Sequence, residues 1–104
     1  MRNVNVLKIT DANFDDSGLV LTLFNENENN DYAVRVNGSN DIRNLCDILS
    51  MKSAKTAKTI QKKIVGKVCL AEFENDFPIR ILDRRDENNY CELERNWKWE
   101  VLKI

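Results

Sequence analysis

The stretch YAVRVNGSNDIRNLCDIL, residues 32–49, contains the change of pattern that sets the fold class. Side chains alternate between two faces over residues 32–37, with the two-residue period of a β-strand. After Gly38, apolar side chains recur three or four positions apart, the spacing of one face of an α-helix. These helical positions are Ile42, Leu45, Cys46, Ile48 and Leu49. We expect Ser39 to be the N-cap, because a serine side chain accepts hydrogen bonds from the first helical turn.

Strands are predicted on both sides of this helix. Two strands precede residues 32–37, at 4–9 and 19–24, and the first should carry a bulge between Val6 and Leu7. Three strands follow the helical region, at 67–74, 77–82 and 90–95. A charged turn at 83–89 precedes the last of them. Residues 97–104 alternate again and are expected to form a final strand.

This order predicts an α+β fold. We expect an antiparallel sheet of five to seven strands, with one long or two short helices inserted after the third strand. If there are two helices, Ser50 or Ser53 would cap the second. The OB barrel has the same chain order, so that fold stays open as an alternative. At 104 residues, the chain is expected to form a single domain, 1–104.

Composition narrows the class of protein. Hydrophobic residues are 42% and charged residues 32% of the chain, as in soluble globular proteins. No apolar run approaches the roughly 20 residues of a membrane helix, and the N-terminus has no signal-peptide pattern. Three cysteines (Cys46, Cys69 and Cys91) without a CxxC pair predict reduced, mostly buried thiols. With the many Asn, Lys and Ile residues, this favours the cytoplasm of a bacterial host cell and no membrane partner.

No motif for catalysis is present in the sequence. The chain has no His, the usual base for a catalytic cysteine, and no recognisable zinc spacing. Its three glycines are isolated, so no phosphate-binding loop is expected. Glu72 and Glu74 share a sheet face, as do Glu92 and Glu94, and the wet face of a half-exposed sheet explains both pairs. We predict a non-enzymatic protein without catalytic residues, metal or cofactor.

The segment MKSAKTAKTIQKKIVGK, residues 51–67, is strongly basic in a chain of formal net charge -1. It contains no carboxylate and six lysines: Lys52, Lys55, Lys58, Lys62, Lys63 and Lys67. We expect the first four of them to share one helical face, where they repel one another unless an anion docks there. A solvated helix face is the alternative. The chain's pI near 5.5 argues against a dedicated nucleic-acid domain.

Two tryptophans on one face of the predicted final strand, Trp97 and Trp99, are the other candidate contacts. Tryptophan is enriched at the centre of protein interfaces. It also buries a large area, so closing the core is the competing interpretation for both residues. The same core interpretation applies to the remaining aromatic side chains considered, which are Tyr32, Phe73, Phe77 and Tyr90.

The helix IRNLCDIL (42–49) followed by a linker and then IVGKVCLAEF (64–73) resembles short uncharacterised phage and prophage proteins. The resemblance covers residues 19–82 and depends on Leu45, Leu49, Val65, Gly66 and Lys67. It implies an accessory factor, and some such factors bind and block bacterial defence machinery, as anti-CRISPR proteins do. The lysine-rich insertion departs from the pattern, which has a shorter and more acidic link.

We therefore expect a small phage or mobile-element type protein that binds and inhibits or modulates a host macromolecular complex. A CRISPR effector or another defence nuclease is the expected kind of target, and the partner is a host protein or a protein–nucleic-acid complex. One alternative is a nucleic-acid-binding OB-like module. Another is a homo-oligomeric structural or assembly subunit, joined through an edge strand near Pro78 or through the last strand.

Overall fold

Seven β-strands and two α-helices make up the computed structural model, which describes residues 3–95. The elements are β1 (Asn3–Asp15), β2 (Gly18–Asn25), β3 (Asn30–Asn37), α1 (Ser39–Ile48), α2 (Ala57–Ile64), β4 (Val68–Glu74), β5 (Phe77–Asp83), β6 (Asp86–Glu92) and β7 (Glu94–Arg95). The predicted α+β fold is confirmed, with an antiparallel sheet and two short helices after the third strand. The predicted final strand at 97–104 lies outside the described residues.

The sheet closes on itself. Its strand order is β6-β5-β4-β1-β2-β3-β7, and all neighbouring pairs are antiparallel. β6 and β7 are the two ends of this order, but only Leu93 separates them along the chain. β6 pairs with β5 as far as Glu92, and β7 pairs with β3 from Glu94. One bent strand therefore joins the two borders of the sheet and makes it a barrel.

Alternate side chains of the strands fill the barrel. The interior positions of β2 and β3 face each other as Leu19–Val36, Leu21–Val34 and Leu23–Tyr32. Tyr32 meets the rings of Phe73 and Phe77 edge-on, at centroid distances of 5.3 and 5.8 Å. Such edge-to-face pairs add stability beyond the area they bury. The core interpretation of these three aromatic residues is therefore confirmed.

The two ends of the barrel differ in what they carry. The β1–β2 turn, the β5–β6 turn and both helices lie at one end, which we call the helical end. The β2–β3 loop and the β4–β5 turn lie at the other, which we call the loop end. The loop-end segments 25–31 and 74–77 contain five carboxylates and no Lys or Arg. The loop end is therefore acidic.

Each helix is attached to the barrel through a different strand. α1 lies beside β6, where the Asn44 side-chain amide donates to the carbonyl oxygen of Tyr90 at 3.0 Å. α2 packs on β1, and the backbone N–H of Phe14 donates to Gln61 Oε1 at 3.3 Å. Buried apolar residues on both helices, including Leu45 and Ile64, join the barrel core. The helices thus cover the helical end of the barrel.

Several local predictions are wrong. β1 runs to Asp15, well beyond residue 9, and its bulge lies between Ile9 and Asp11. Pairing with β4 ends at Lys8, and pairing with β2 begins at Lys8 and continues past the bulge to Asp15. Ser39 is the first residue of α1, and Gly38 occupies the cap position without a side-chain hydrogen bond. Tyr90 is 39% exposed, because strand alternation turns its neighbour Cys91 inward.

The strand near Pro78 is not an edge strand of the sheet, and the homo-oligomer stays a prediction. Pro78 lies near the start of β5, and β5 is paired on both sides, with β4 and with β6. Pairing with β4 shifts register at Glu72 and Phe73, opposite Pro78, which fits a residue that has no N–H to donate. From Arg80 onward both borders of β5 are occupied, so this part of the strand is not free to pair with another chain.

Within residues 3–95, neither helix has the length and apolar character needed to cross a membrane.

Candidate binding site

The candidate site begins where α1 ends. The backbone N–H of Met51 donates to Cys46 O at 2.7 Å, and that of Ser50 donates to Asp47 O at 3.1 Å. Ser50 has φ of 59°, so it occupies the left-handed position that glycine usually fills in this type of helix ending, the Schellman motif. The motif stops the helix and turns Met51 back onto the core, where it is buried.

α2 begins seven residues after Ser50, and its cap is Thr56. The Thr56 side chain accepts a hydrogen bond from the Thr59 N–H at 3.2 Å and is paired with the Thr59 hydroxyl at 2.8 Å. The prediction that Ser50 or Ser53 caps the second helix is wrong, because Ser50 follows the end of the first helix and Ser53 lies within the linker. Residues 49–56 thus form a non-helical linker between two short helices.

A cleft of about 630 Å³ opens between α1, this linker and α2. Its floor is apolar and comes from both helices, the linker and strand β1. The floor side chains are Phe14, Ile42, Cys46, Met51, Ala54 and Ile60. A volume of this size lies within the usual range for ligand sites, and the floor gives an incoming apolar group a surface to pack against.

The rim of the cleft is mainly cationic. Arg43 on α1 and Lys52 and Lys55 on the linker line the opening, together with one carboxylate, Asp47. Across residues 3–95, no carboxylate lies within salt-bridge distance of these three cations. The cleft therefore combines an apolar floor with a net positive rim.

The structure does not place the first four lysines on one helical face. Only Lys58 and Lys62 share a face of α2, because Lys52 and Lys55 belong to the non-helical linker. The predicted single stripe is therefore wrong at its first two positions. Lys52 and Lys55 are not helical because the left-handed turn at Ser50 ends the helix, whereas the prediction assumed that the helix continues.

The other two predicted lysines lie apart from the cleft rim. Lys63 is on α2, and its Nζ lies 3.4 Å from the Ser53 hydroxyl. Lys67 is half-buried after α2 and lines a smaller crevice of about 240 Å³ beside Val68 and Leu82. Five of the six lysines are exposed, and none of the six forms a salt bridge with a carboxylate of the described chain. Trp97 and Trp99 lie outside the described residues.

The carboxylates considered for metal binding hold a guanidinium. Arg80 Nη1 lies 3.2 Å from Glu72 Oε2, and Arg80 Nε lies 3.1 Å from Glu92 Oε1. The three side chains occupy adjacent strands on the outer face of the barrel. No cluster of three or more potential metal ligands occurs in the part of the chain that the structure describes.

The three cysteines are buried and form no disulfide. Burial raises the pKa of the Cys69 thiol to about 12. The pKa of Cys91 is raised to about 12 by burial and by the nearby Asp41 carboxylate. The pKa of Cys46, in the cleft floor, is also raised by burial. Since the thiolate is the nucleophile, these shifts make the three side chains poorly reactive. The prediction of buried thiols is confirmed.

Sequence reasoning identified the lysines but missed the cleft. Phe14 and Arg43 line it with the linker lysines, and both lie outside residues 51–67, Phe14 in a distant strand and Arg43 on the preceding helix. The signal in the sequence that could have predicted the cleft was the end of α1 and the start of α2. A linker between two amphipathic helices leaves a space between the helices. Serine at the left-handed position concealed the first boundary, since glycine is the usual marker there.

No protein-family model matches the chain, and comparison with curated proteins and with solved structures finds no significant match.

Proposed function

We propose that this protein binds an acidic surface of a host macromolecular complex and thereby inhibits or modulates that complex. The observation that carries the proposal is the concentration of cations on the linker and α2, exposed at five of six lysines and without internal carboxylate partners. Lys58 and Lys62 are four residues apart on α2 and repel each other. A negatively charged partner removes that repulsion.

The resemblance to phage accessory proteins supports a defence nuclease, such as a CRISPR effector, as the target complex. Nucleic-acid-binding complexes of this kind have surfaces of both signs, and an acidic surface patch would attract the lysines. Steering by complementary charge accelerates association, and salt weakens it. The function needs no reaction, and we propose that the protein acts only by occupying the surface.

An OB-like nucleic-acid-binding module is the second candidate, because the closed barrel and the helix after β3 are shared with that fold. OB barrels bind oligonucleotides at the face of strands 2–3 and at the loops between strands 1 and 2 and between strands 4 and 5. Here those two connections carry two exposed carboxylates, Asp16 and Asp76, while Asp15 is paired with Arg35 at 2.6 Å. These carboxylates repel a phosphate backbone, so the charge distribution favours a protein partner.

The test compares two variants that change all six lysines. Changing them to Gln removes the charge, and changing them to Arg keeps it. Each immobilised protein is incubated with bacterial lysate at about 0.05 and 0.3 M salt, with and without nuclease. We expect wild type and the Arg variant to retain a protein partner after nuclease treatment. The Gln variant should capture at least tenfold less of that partner.

Equal capture by the Gln variant would remove the lysines from the function. Loss of all capture on nuclease digestion would favour the OB-like module instead. In that case the affinity for duplex DNA should fall with salt at a log–log slope of about -0.9 per phosphate neutralised.

A further inference from the structure

The cleft has two chemical properties that its occupant must match. Its floor offers six apolar side chains, and its rim offers three cations, Arg43, Lys52 and Lys55, against one carboxylate, Asp47. An ion without an apolar body would leave the floor exposed to water, and an apolar molecule without charge would leave the cations unpaired. A suitable occupant therefore carries an apolar group and negative charge together.

The charge pattern favours an occupant with several separated anionic groups. The three rim cations come from two different elements, α1 and the linker. Beyond the rim, the positive surface continues onto α2 at Lys58 and Lys62. A carboxylate with a single head group, such as a fatty acid, could satisfy only a part of this surface. A peptide with spaced Asp and Glu side chains matches its extent.

The floor favours a peptide over a nucleic acid. Phe14 is the single aromatic side chain among the lining residues that the structure describes, and the remainder of the floor is aliphatic or sulfur-containing. Single-stranded nucleic acids bind through bases stacked on aromatic platforms, which this floor does not provide. Leu, Met or Phe side chains of a peptide fill aliphatic grooves of this kind.

We propose that the cleft binds an acidic peptide segment of the partner protein, with an apolar side chain of that segment on the floor and its carboxylates against Arg43, Lys52 and Lys55. This inference rests on the proposed function and specifies the part of the partner that is recognised. It divides the contact into an apolar anchor, which sets specificity, and surrounding charge, which sets the rate of encounter.

The probe is a panel of fluorescent 13-residue synthetic peptides, each with five Glu residues and a pair of Leu, Met, Phe or Trp residues four positions apart. The matched peptides replace only that pair with Ala and keep the charge. Anisotropy titrations give dissociation constants. We expect at least one anchored peptide to bind about tenfold or more tightly than its Ala counterpart, as loss of a buried apolar side chain requires.

The protein variant that tests the cleft is Ala57→Leu. Ala57 is exposed and lines the cleft, so the larger side chain occupies the opening without entering the core or changing charge. Ser53→Leu is the matched control, because Ser53 is exposed on the adjoining linker but does not line the cleft. We expect Ala57→Leu to weaken the anchored peptide about tenfold and Ser53→Leu to leave it within twofold. Circular dichroism verifies that both variants fold.

Three results would overturn the inference. The first is that no anchored peptide binds. The second is that the apolar anchor gives no gain in affinity. In that case anchored and Ala peptides bind alike, or polyglutamate or a single-stranded oligonucleotide binds as tightly as the best anchored peptide. The third is that Ala57→Leu leaves binding unchanged. If the lysine-to-Gln variant loses the host partner while Ala57→Leu retains it, the proposed function stands and this inference alone fails.

Discussion

At the scale of single residues, Asp83 joins the β5–β6 turn to α1. Its carboxylate accepts from the backbone N–H of Arg85 and from Arg85 Nε, both at 3.0 Å, and from the Asn89 amide at 3.2 Å. The same guanidinium donates through Nη2 to the carbonyl oxygen of Asp47 at 2.9 Å. Asp47 O lies in the last turn of α1, where a cation is favourable. One carboxylate therefore positions the cation that holds the helix end.

This contact predicts a stability change at acid pH. Hydrogen bonds from the side chain and backbone of Arg85 lower the pKa of Asp83 from 3.8 to about 2. A carboxyl whose pKa is lowered by folding stabilises the protein above its unfolded pKa, and this stabilisation is lost as pH falls through the folded value. We expect Asp83→Asn to destabilise the protein at pH 6 and to make much less difference at pH 2. Urea unfolding at pH 6, 4, 3 and 2 measures the change.

Asp16→Asn, at an exposed turn position, is the matched control for that experiment. Its unfolding free energy should stay within about 0.5 kcal/mol of wild type, as for most surface substitutions. If the difference between wild type and Asp83→Asn were the same at pH 6 and pH 2, ionisation of Asp83 would have no part in holding the turn.

At the scale of elements, the end of α1 decides the shape of the candidate site. Because Ser50 turns the chain into the left-handed region, Lys52 and Lys55 leave the helical path and reach the cleft rim. A continuous helix through residue 64 would instead have carried these lysines along one face, as the spacing predicted. The site therefore depends on a backbone conformation that serine adopts at a cost.

That cost predicts a stabilising substitution. Ser50→Gly should raise the free energy of unfolding by about 0.5–1 kcal/mol, because glycine adopts a positive φ without steric penalty at the end of a helix. Denaturant unfolding at pH 7 measures it. Ser50→Ala keeps a β-carbon and should give no such gain. If Ala stabilised as much as Gly, the left-handed strain would not be the cause.

Much of the element pattern could be read from the sequence. Alternation marked β3, and apolar runs marked β2, β4 and β5, since each of these strands contributes apolar side chains to the barrel core. Segments made mostly of polar residues, which have no apolar face, were assigned less well. Asp86, Glu87 and Asn88 were expected in a turn but belong to β6, where pairing with β5 overrides their poor strand propensity.

At the scale of the whole molecule, the fold is held by pairings between distant parts of the chain. β1 pairs with β4, so that Val6 lies opposite Leu70, and β3 pairs with β7, so that Val34 lies opposite Arg95. Sequence patterns report on neighbours along the chain, which is why the closed sheet could be named only as an alternative and the cleft between the helices could not be predicted. The lysines were visible, but Phe14 beneath them was not.

Such distant pairing predicts slow folding. Contacts that close long loops lose chain entropy before they gain stability, and domains dominated by non-local strands fold in milliseconds to seconds. We expect refolding from urea, followed by stopped-flow circular dichroism, to fall in that range. Ser50→Gly should change this rate little, because it acts within a short helix connection. Complete refolding within microseconds would show that local contacts dominate.

The buried thiols offer a way to measure how often each part of the fold opens. Cys46, Cys69 and Cys91 belong to α1, β4 and β6, so each occupies a separate part of the architecture. A maleimide reacts with thiolate and must reach the sulfur atom, so modification waits for the surrounding element to open. Mass spectrometry of the labelled peptides would give a labelling rate for each cysteine. The three rates would report the opening of α1 beside the cleft, of β4 next to β1, and of β6 at the border of the sheet.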